Sequence, residues 1–153
     1  MNQEILDYIK SQRVCVVALE MLDGSPHAAT VHFAHQDDPL VFVIQTSPGY
    51  RKLESLLGKE NTRASLVVGT EEHPEKKDKT FQLDGVAQII DSDSDLAQLY
   101  REKFPDKSEK YANDIFFTVT PTWWRFTDWS KPEGKTIYTS DGTVTVNGKT
   151  AKE

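Results

Sequence analysis

The sequence predicts a mainly β (α+β) protein in which an antiparallel sheet closes, fully or partly, into a barrel flanked by short helices. Six or seven runs are rich in apolar and β-branched residues, and most are joined by turn formers such as those at 23–26. Helical spacing is confined to short segments, without the regular strand-helix alternation of a parallel sheet. Closure is expected because it hides the strand edges.

The N-terminal half is expected to hold a helix, three strands and a second helix. Ile5, Leu6 and Ile9 lie at helical spacing, and Gly58 is a residue type that commonly ends a helix. Runs rich in β-branched residues, separated by Gly, Pro and Asp, mark the strands between them. The expected bounds are 3–12 and 49–58 for the helices and 14–21, 27–35 and 40–46 for the strands.

The C-terminal half is expected to add three strands, one helix and a polar tail. The acidic run at 91–95 suits the start of a helix, and the dense charge of 71–79 predicts a solvated loop. The expected bounds are 96–104 for the helix and 62–69, 80–90 and 115–127 for the strands, the last interrupted at Pro121. Residues 1–130 are interpreted as one domain and 131–153 as a polar hairpin or flexible tail.

Composition indicates a single soluble domain and argues against several kinds of partner. The chain has 153 residues, with 18 Lys and Arg against 24 Asp and Glu, and a net charge of −6. Nucleic acid requires a net basic face, so it is not expected as a partner. No apolar run approaches the roughly 20 residues that span a bilayer, and no Cys/His cluster has metal-ligand spacing. Neither a membrane nor a metal is expected. The single Cys15 and the lack of a basic N-terminal signal indicate the cytoplasm.

The most informative segment is 46–52, with the sequence Thr-Ser-Pro-Gly-Tyr-Arg-Lys, directly after an apolar strand. Hydroxyl side chains, free backbone N–H groups at the start of a helix and two adjacent cations are the groups that bind a phosphate monoester. Most Arg-Lys pairs on a helix surface are only solvated. Because the protein as a whole is acidic, this pair is interpreted as a local site and not as part of a basic field.

Three segments, in this order, resemble the flavin-binding split barrel of the pyridoxamine 5'-phosphate oxidase-like superfamily. The first is 26–33, Pro-His-Ala-Ala-Thr-Val-His-Phe. The second, 46–56, is similar to the family's Thr-Asn-x-x-Ser-Arg-Lys-x-x-x-Leu segment. The third, 81–87, carries Gln82 three residues before Gly85. The resemblance spans about residues 3–129. It implies a split β-barrel that binds flavin mononucleotide (FMN) in a groove between two subunits, and therefore a homodimer.

The resemblance also implies roles for individual residues. Arg51 and Lys52 would neutralise the FMN phosphate, with neighbouring hydroxyl groups on the phosphate or ribityl chain. The strand at 30–32 would edge the ring system. Adjacent Trp123 and Trp124 point to opposite faces of a strand, so one is expected in the core and one toward the groove. The full expected cofactor-binding set is Thr30, Val31, His32, Gln45, Thr46, Ser47, Arg51, Lys52, Gln82 and Trp124.

Three departures separate the chain from the true oxidases of that family. Ala29 stands where the oxidases carry Arg, and Tyr50 stands at the position of the phosphate-binding Ser. The Arg-Leu-His-x-Arg stretch that holds the pyridoxal product is missing after Trp129. The chain therefore looks more like the short general-stress-protein branch, and oxidation of pyridoxamine 5'-phosphate is not expected.

The predicted function is that of an FMN-binding flavoprotein, an oxidoreductase that passes electrons from a reduced nicotinamide to an unidentified small acceptor. No Ser-His-Asp elbow, P-loop or dinucleotide fingerprint is present, so no catalytic side chain is assigned and the cofactor would supply the chemistry. Two alternatives stay open. One is a deazaflavin- or haem-binding member of the same barrel, in which His32 or a tail residue would be the axial ligand. The other is a non-catalytic flavin-binding stress-response protein.

Overall fold

The computed structural model describes residues 1–69, 79–110 and 113–152. Within them the elements follow in the order α1 (Gln3–Ser11), β1 (Val14–Glu20), β2 (Pro26–His32), β3 (Ala34–Gln36), β4 (Val41–Thr46), α2 (Lys52–Gly58), β5 (Thr62–Val68), β6 (Lys79–Ile90), α3 (Asp95–Lys103), α4 (Pro105–Lys110), β7 (Ile115–Asp128), β8 (Thr136–Thr139), β9 (Thr143–Val146) and β10 (Lys149–Lys152). The pairings between these strands are antiparallel, which confirms the predicted mainly β class. The expected count of six or seven strands was too low.

One continuous sheet wraps around the core. Its hydrogen-bonded order is β10-β9-β8-β7-β6-β5-β1-β2, while β4 also pairs with β7, and β3 pairs with β4. Strand β7 is 14 residues long, and residues 115–119 pair with β4 whereas residues 125–128 pair with β8. Because of this length, β7 can pair with β4 along one end and with β8 along the other. The described residues include no helix that is long and apolar enough to cross a membrane.

A bulge bends the two longest strands. The pairing of β6 with β7 shifts register between Asp84 and Gly85, and Thr122 Oγ1 donates a hydrogen bond to the Asp84 carbonyl at 3.1 Å. Glycine is required at this point because a Cβ on Gly85 would overlap the carbonyl oxygen of Thr120. The bulge replaces the expected simple interruption at Pro121 and lets the sheet curl without a break in the strand.

Two apolar cores hold the elements together. The main core inside the sheet contains Phe33, Phe42, Phe81, Phe117 and Phe126, each with no exposed surface, and the buried Ile5 and Ile9 of α1 pack onto it. A smaller core joins α3 to β3 and β4 through Ala34, Val43, Ala97, Tyr100, Phe104 and Phe116. This second core fixes α3, and the start of α4 that follows it, beside the end of β2.

The strand expected at 27–35 is in fact two strands that meet at Phe33. Val31 and Phe33 are buried in the main core, whereas the next residue, Ala34, is buried in the second core. Two consecutive buried residues break the alternation of a single strand, so the chain leaves β1 after His32 and continues beside β4. Sequence alternation could not reveal this change of partner.

The tail and the connections show further differences from the expected bounds. Residues 136–152 form three strands that extend the sheet one after another from β7. Helix α2 begins at Lys52 and not at 49, and α4 was not expected. The predicted charged loop falls almost wholly outside the described residues, which resume at Lys79.

Candidate functional site

A groove of about 460 Å³ runs between β2 and the connection from β4 to α2. It brings together eight of the ten residues predicted to bind the cofactor, namely Thr30, Val31, His32, Gln45, Thr46, Ser47, Arg51 and Lys52. It is also lined by residues that were not predicted, namely His27, Ala29, Tyr50, Tyr100, Lys107 and Asp114.

Buried apolar neighbours fix the predicted phosphate segment in place. Thr46 is the last residue of β4 and pairs with Ile115 of β7. The chain then turns, and the Tyr50 N–H donates to the Ser47 carbonyl at 3.2 Å. Leu53 and Leu56 of α2 are buried in the main core and hold the helix that begins at Lys52. The hydroxyl groups and the cations therefore reach the groove from rigidly packed backbone. Ser47 Oγ donates to Asp114 Oδ1 at 2.9 Å.

The two adjacent cations differ in their environments. Lys52 is only 6% exposed, and its Nζ lies 4.3 Å from the centroid of the Tyr50 ring. Burial lowers the pKa of Lys52, and within the described parts of the chain it forms no ion pair with a carboxylate. Arg51 is exposed, and it adds to the hydrogen bonds from Ser25 that lower the pKa of Asp23. Arg51 therefore lies near the turn that precedes β2.

Thr46 carries a buried hydroxyl group without a partner. The residue is 3% exposed, and its Oγ1 has no hydrogen-bond partner among the described residues. A buried polar atom left unpaired costs about 1–3 kcal/mol. Thr46 lines the same groove as the buried cation Lys52, so its hydroxyl group is a candidate donor to an anionic ligand.

The other end of the groove is formed by His32 and Lys107. Lys107 Nζ lies 2.7 Å from His32 Nδ1, so the ammonium group donates and the Nδ1 atom accepts. In neutral histidine the remaining proton then lies on Nε2. Burial, followed by repulsion from Lys107, Arg13 and Lys103, lowers the pKa of His32. His32 is therefore a neutral hydrogen-bond donor near neutral pH.

A family model described as pyridoxamine 5'-phosphate oxidase matches residues 1–128. The chain belongs to the pyridoxamine 5'-phosphate oxidase family. No curated protein sequence matches it. The family resemblance inferred from the three sequence segments is thus confirmed, whereas the general-stress-protein branch stays a prediction.

Solved structures of several distant proteins share the fold. HutZ, a haem storage protein from Vibrio cholerae, aligns with a TM-score of 0.65 at 18% identity over 78% of this chain and 89% of its own. An FAD-binding protein from Mycobacterium smegmatis aligns with a TM-score of 0.63 at 17% identity, over 86% of this chain and 97% of its own. An FAD-binding protein from Mesorhizobium loti aligns with a TM-score of 0.62 at 20% identity, over 81% of this chain and 90% of its own. At these identities the similarity establishes the fold alone.

The structure places Gln82 outside the groove of its own chain. Gln82, Val67, Val16 and Thr30 are paired in register across β6, β5, β1 and β2. Three strand spacings, or about 14 Å, therefore separate Gln82 from Thr30 on the outer face of the sheet. Gln82 Oε1 accepts a hydrogen bond from Arg125 Nη2 at 2.9 Å. A ligand that lies along β2 therefore contacts Gln82 of the same chain only if it extends about 14 Å across the sheet.

The structure also places Trp124 away from the groove. Its ring stacks on Phe81 with centroids 5.9 Å apart, and it packs against the main core. Trp123 lies on the outer face of the sheet, with 39% of its surface exposed. The expectation of one inward and one outward tryptophan therefore agrees with the structure, but Trp124 is the inward residue.

Three lining residues of the groove had no usable signal in the sequence. Tyr100 and Lys107 come from α3 and α4, and Asp114 immediately precedes β7. Tyr100 and Lys107 reach the groove because the second core packs α3 against β3 and β4. Asp114 reaches it because the next residue, Ile115, pairs with Thr46. No metal-binding group of three or more His, Cys, Asp or Glu side chains occurs among the described residues.

Proposed function

We propose that the groove binds FMN, with its phosphate at the Arg51–Lys52 end. The observation that carries this proposal is the buried Lys52, which lacks an acidic partner among the described residues and shares the groove with the unpartnered Thr46 hydroxyl group. A phosphate monoester would neutralise the cations and accept a hydrogen bond from Thr46. When bound, the isoalloxazine ring supplies hydride and electron transfer, and the protein binds and orients it.

The contacts support a sharper division of roles than the sequence allowed. Thr46 has a hydroxyl group free to donate to the phosphate, whereas the Ser47 hydroxyl already donates to Asp114. Lys52 is the buried cation and Arg51 the exposed one, so Arg51 would close over the phosphate from the solvent side. Thr30, Val31 and His32 of β2 would edge the ring.

A homodimer is part of the proposal because the outer sheet face carries exposed apolar side chains beside the groove. Val16, Val67 and Trp123 are 43%, 40% and 39% exposed, and Val16 and Val67 are cross-strand neighbours. Apolar area of this kind favours association. In a two-fold dimer through this face, Gln82 of one subunit could reach the flavin held by the other.

The proposed reaction is electron transfer from a reduced nicotinamide to a small acceptor. Membership of the family and a flavin site support an oxidoreductase, and the missing Arg-Leu-His-x-Arg stretch argues against a true pyridoxamine 5'-phosphate oxidase. We place the protein in the cytoplasm, in agreement with a lone, buried thiol at Cys15, and in the general-stress-protein branch.

Haem is the second candidate ligand. It is favoured by the shared fold with a haem storage protein and by the presence of His32 in the groove. Axial ligation through Nε2 would require a proton on Nδ1, but Nδ1 accepts from Lys107. Lys107 would have to move away, which makes haem the less favoured ligand.

The absorption spectrum of the purified protein, followed by titration with FMN and with haemin, tests the proposal. We expect flavin absorption bands in the blue and in the near-ultraviolet, and saturable binding of FMN at one site per chain. A Soret band together with weak or no FMN binding would instead select the haem alternative.

A further inference from the structure

Asp114 lines the groove next to the phosphate end. Its Oδ1 atom accepts a hydrogen bond from Ser47 Oγ at 2.9 Å, and the residue that follows it, Ile115, pairs with Thr46. An ionised carboxylate has about four acceptor positions on its two oxygen atoms, so this bond leaves Oδ2 available to a ligand. Within the parts of the chain that the structure describes, Asp114 forms no ion pair with Lys, Arg or His. The groove therefore contains a negative charge between the lysines at its two ends.

Tyr100 lines the groove between Asp114 and the His32 end. Its ring packs against the Phe104 ring, with centroids 4.9 Å apart, and Phe104 packs in turn against His32. Burial, followed by the negative charge of Asp114, raises the pKa of Tyr100 to about 12. The hydroxyl group therefore keeps its proton at neutral pH, and it forms no hydrogen bond with another described residue. It can both donate to a ligand and accept from one.

The middle of the groove differs in chemistry from the phosphate end. The phosphate end offers cations, whereas the middle offers a carboxylate acceptor and a phenol hydroxyl group. A carboxylate repels anionic groups and binds neutral O–H donors through charge-assisted hydrogen bonds. A phenol hydroxyl group can donate to one hydroxyl group and accept from the next. This combination suits an uncharged chain of neighbouring hydroxyl groups.

We propose that Asp114 and Tyr100 bind the hydroxyl groups of a polyol chain in the ligand, which in FMN is the ribityl chain between phosphate and ring. The proposal rests on the proposed function, because it takes the phosphate to lie at the Arg51–Lys52 end and the ring beside residues 30–32. Asp114 accepts from the ligand through Oδ2, while Ser47 holds the carboxylate in place. Both residues act on specificity, since they favour a ligand with a polyol chain over one that has only a ring and an anionic group.

The test compares the affinities of riboflavin and lumiflavin, which have the same ring system but differ in the ribityl chain. Neither ligand has a phosphate, so the Arg51–Lys52 end does not enter the comparison. The variant is Asp114→Asn, whose amide oxygen can still accept from Ser47 but carries no charge. In isothermal titration calorimetry we expect riboflavin binding to weaken at least about tenfold and lumiflavin binding less than about twofold. Equal losses for the two ligands, or no loss for riboflavin, would overturn the proposal.

Tyr100→Phe removes the hydroxyl group and keeps the buried ring. It should weaken riboflavin binding about three- to tenfold and leave lumiflavin binding unchanged. Asp141→Asn is the matched control, since Asp141 Oδ1 also accepts from a hydroxyl group, Thr139 Oγ1 at 2.7 Å, but does not line the groove. It should change neither affinity. If Tyr100→Phe weakens lumiflavin binding as strongly as riboflavin binding, the hydroxyl group does not contact the polyol chain.

Ribitol 5-phosphate separates a failure of this inference from a failure of the proposed function, because it has the phosphate and the polyol chain of FMN but no ring. Tighter binding of ribitol 5-phosphate than of inorganic phosphate, with that advantage lost in Asp114→Asn, supports the polyol site even if no flavin binds. If the wild-type protein binds FMN but Asp114→Asn changes neither riboflavin nor ribitol 5-phosphate binding, the flavin proposal stands and the polyol site is wrong. If the wild-type protein binds none of these ligands, both are wrong.

Discussion

The two ends of the groove are both cationic, but they are built in different ways. At the first end, Thr46, Ser47, Arg51 and Lys52 come from one short segment between β4 and α2. At the second end, Arg13, His32, Lys103 and Lys107 come from separate elements and meet around Phe104. The first end depends on local geometry anchored by α2. The second depends on tertiary packing, so a packing defect should affect it selectively.

The largest expected effect comes from Phe104→Ala. Phe104 is 2% exposed, and removal of a buried phenyl ring typically costs about 3–5 kcal/mol of stability. Because Arg13, Lys103 and Lys107 lie over this ring, the pKa of His32 should rise toward its ordinary value, while FMN affinity should change less than about threefold. Urea unfolding, an NMR pH titration of the His32 ring and an FMN titration measure the three quantities.

Phe116→Ala is the matched control for that comparison. Phe116 is buried in the same second core, but the cation over its ring is Arg101, and not Arg13, Lys103 or Lys107. It should lose similar stability and leave the pKa of His32 low. If both variants raise the pKa of His32 equally, the second end depends on the general stability of α3 and not on the Phe104 ring.

A smaller effect is expected from a charge on the outer sheet face. Val67→Asp should weaken the dimer at least about tenfold, or about 1.4 kcal/mol, since it would bury a carboxylate against apolar area. Light scattering of the wild-type protein should give about twice the 17.3 kDa chain mass. Ile89→Asp, at another exposed apolar position, should remain dimeric. A wild-type monomer that binds one FMN per chain would refute the interface.

Thr46→Val tests the unpartnered hydroxyl group at the first end. Removal of a buried, unpaired oxygen should stabilise the flavin-free protein by up to about 1 kcal/mol and weaken FMN binding about tenfold. Thr136→Val is the control, because its buried hydroxyl donates to the Gly134 carbonyl at 3.1 Å and its loss should be destabilising. Destabilisation by both changes, measured by thermal unfolding, would mean that Thr46 has a partner.

The smallest expected effect is on the pH dependence of stability. The folded-state pKa of His32 lies below the ordinary value of 6.5, because burial and nearby cations oppose its protonation. The unfolded chain therefore binds the proton on this histidine more readily than the folded chain does. The contribution of His32 to the free energy of unfolding is complete above pH 6.5 and is lost as the pH falls below that value. His32→Gln should make the free energy of unfolding less sensitive to pH below 6.5. If urea unfolding at several pH values shows the same pH dependence of stability in the variant and the wild-type protein, the lowered pKa is contradicted.

The first end could be predicted from sequence because its chemistry is contiguous. Residues 46–52 carry hydroxyl groups, a turn and cations in one segment, and they all fold to one side of a buried strand. The second end could not, because Arg13 and Lys107 are ordinary surface cations until α3 packs on the second core. Lys107 also lies in α4, a helix that no periodicity in the sequence predicts.

The same distinction holds for the fold. Alternating runs and turn residues were enough for the antiparallel class and for most strand bounds. The change of partner at Phe33 and the strands of residues 136–152 depend on long-range contacts that no local pattern records. The assignment of Trp124 needed the register of β6 against β7, which the bulge at Gly85 sets.

The most direct test of the account is the affinity of the Arg51→Ala, Lys52→Ala double variant for FMN and for riboflavin, which lacks the phosphate. Each charge-assisted contact is worth about 1.5–3 kcal/mol, so FMN binding should weaken at least about a hundredfold while riboflavin binding barely changes. An equal loss for the two ligands, or no loss for FMN, would contradict the placement of the phosphate at this end of the groove.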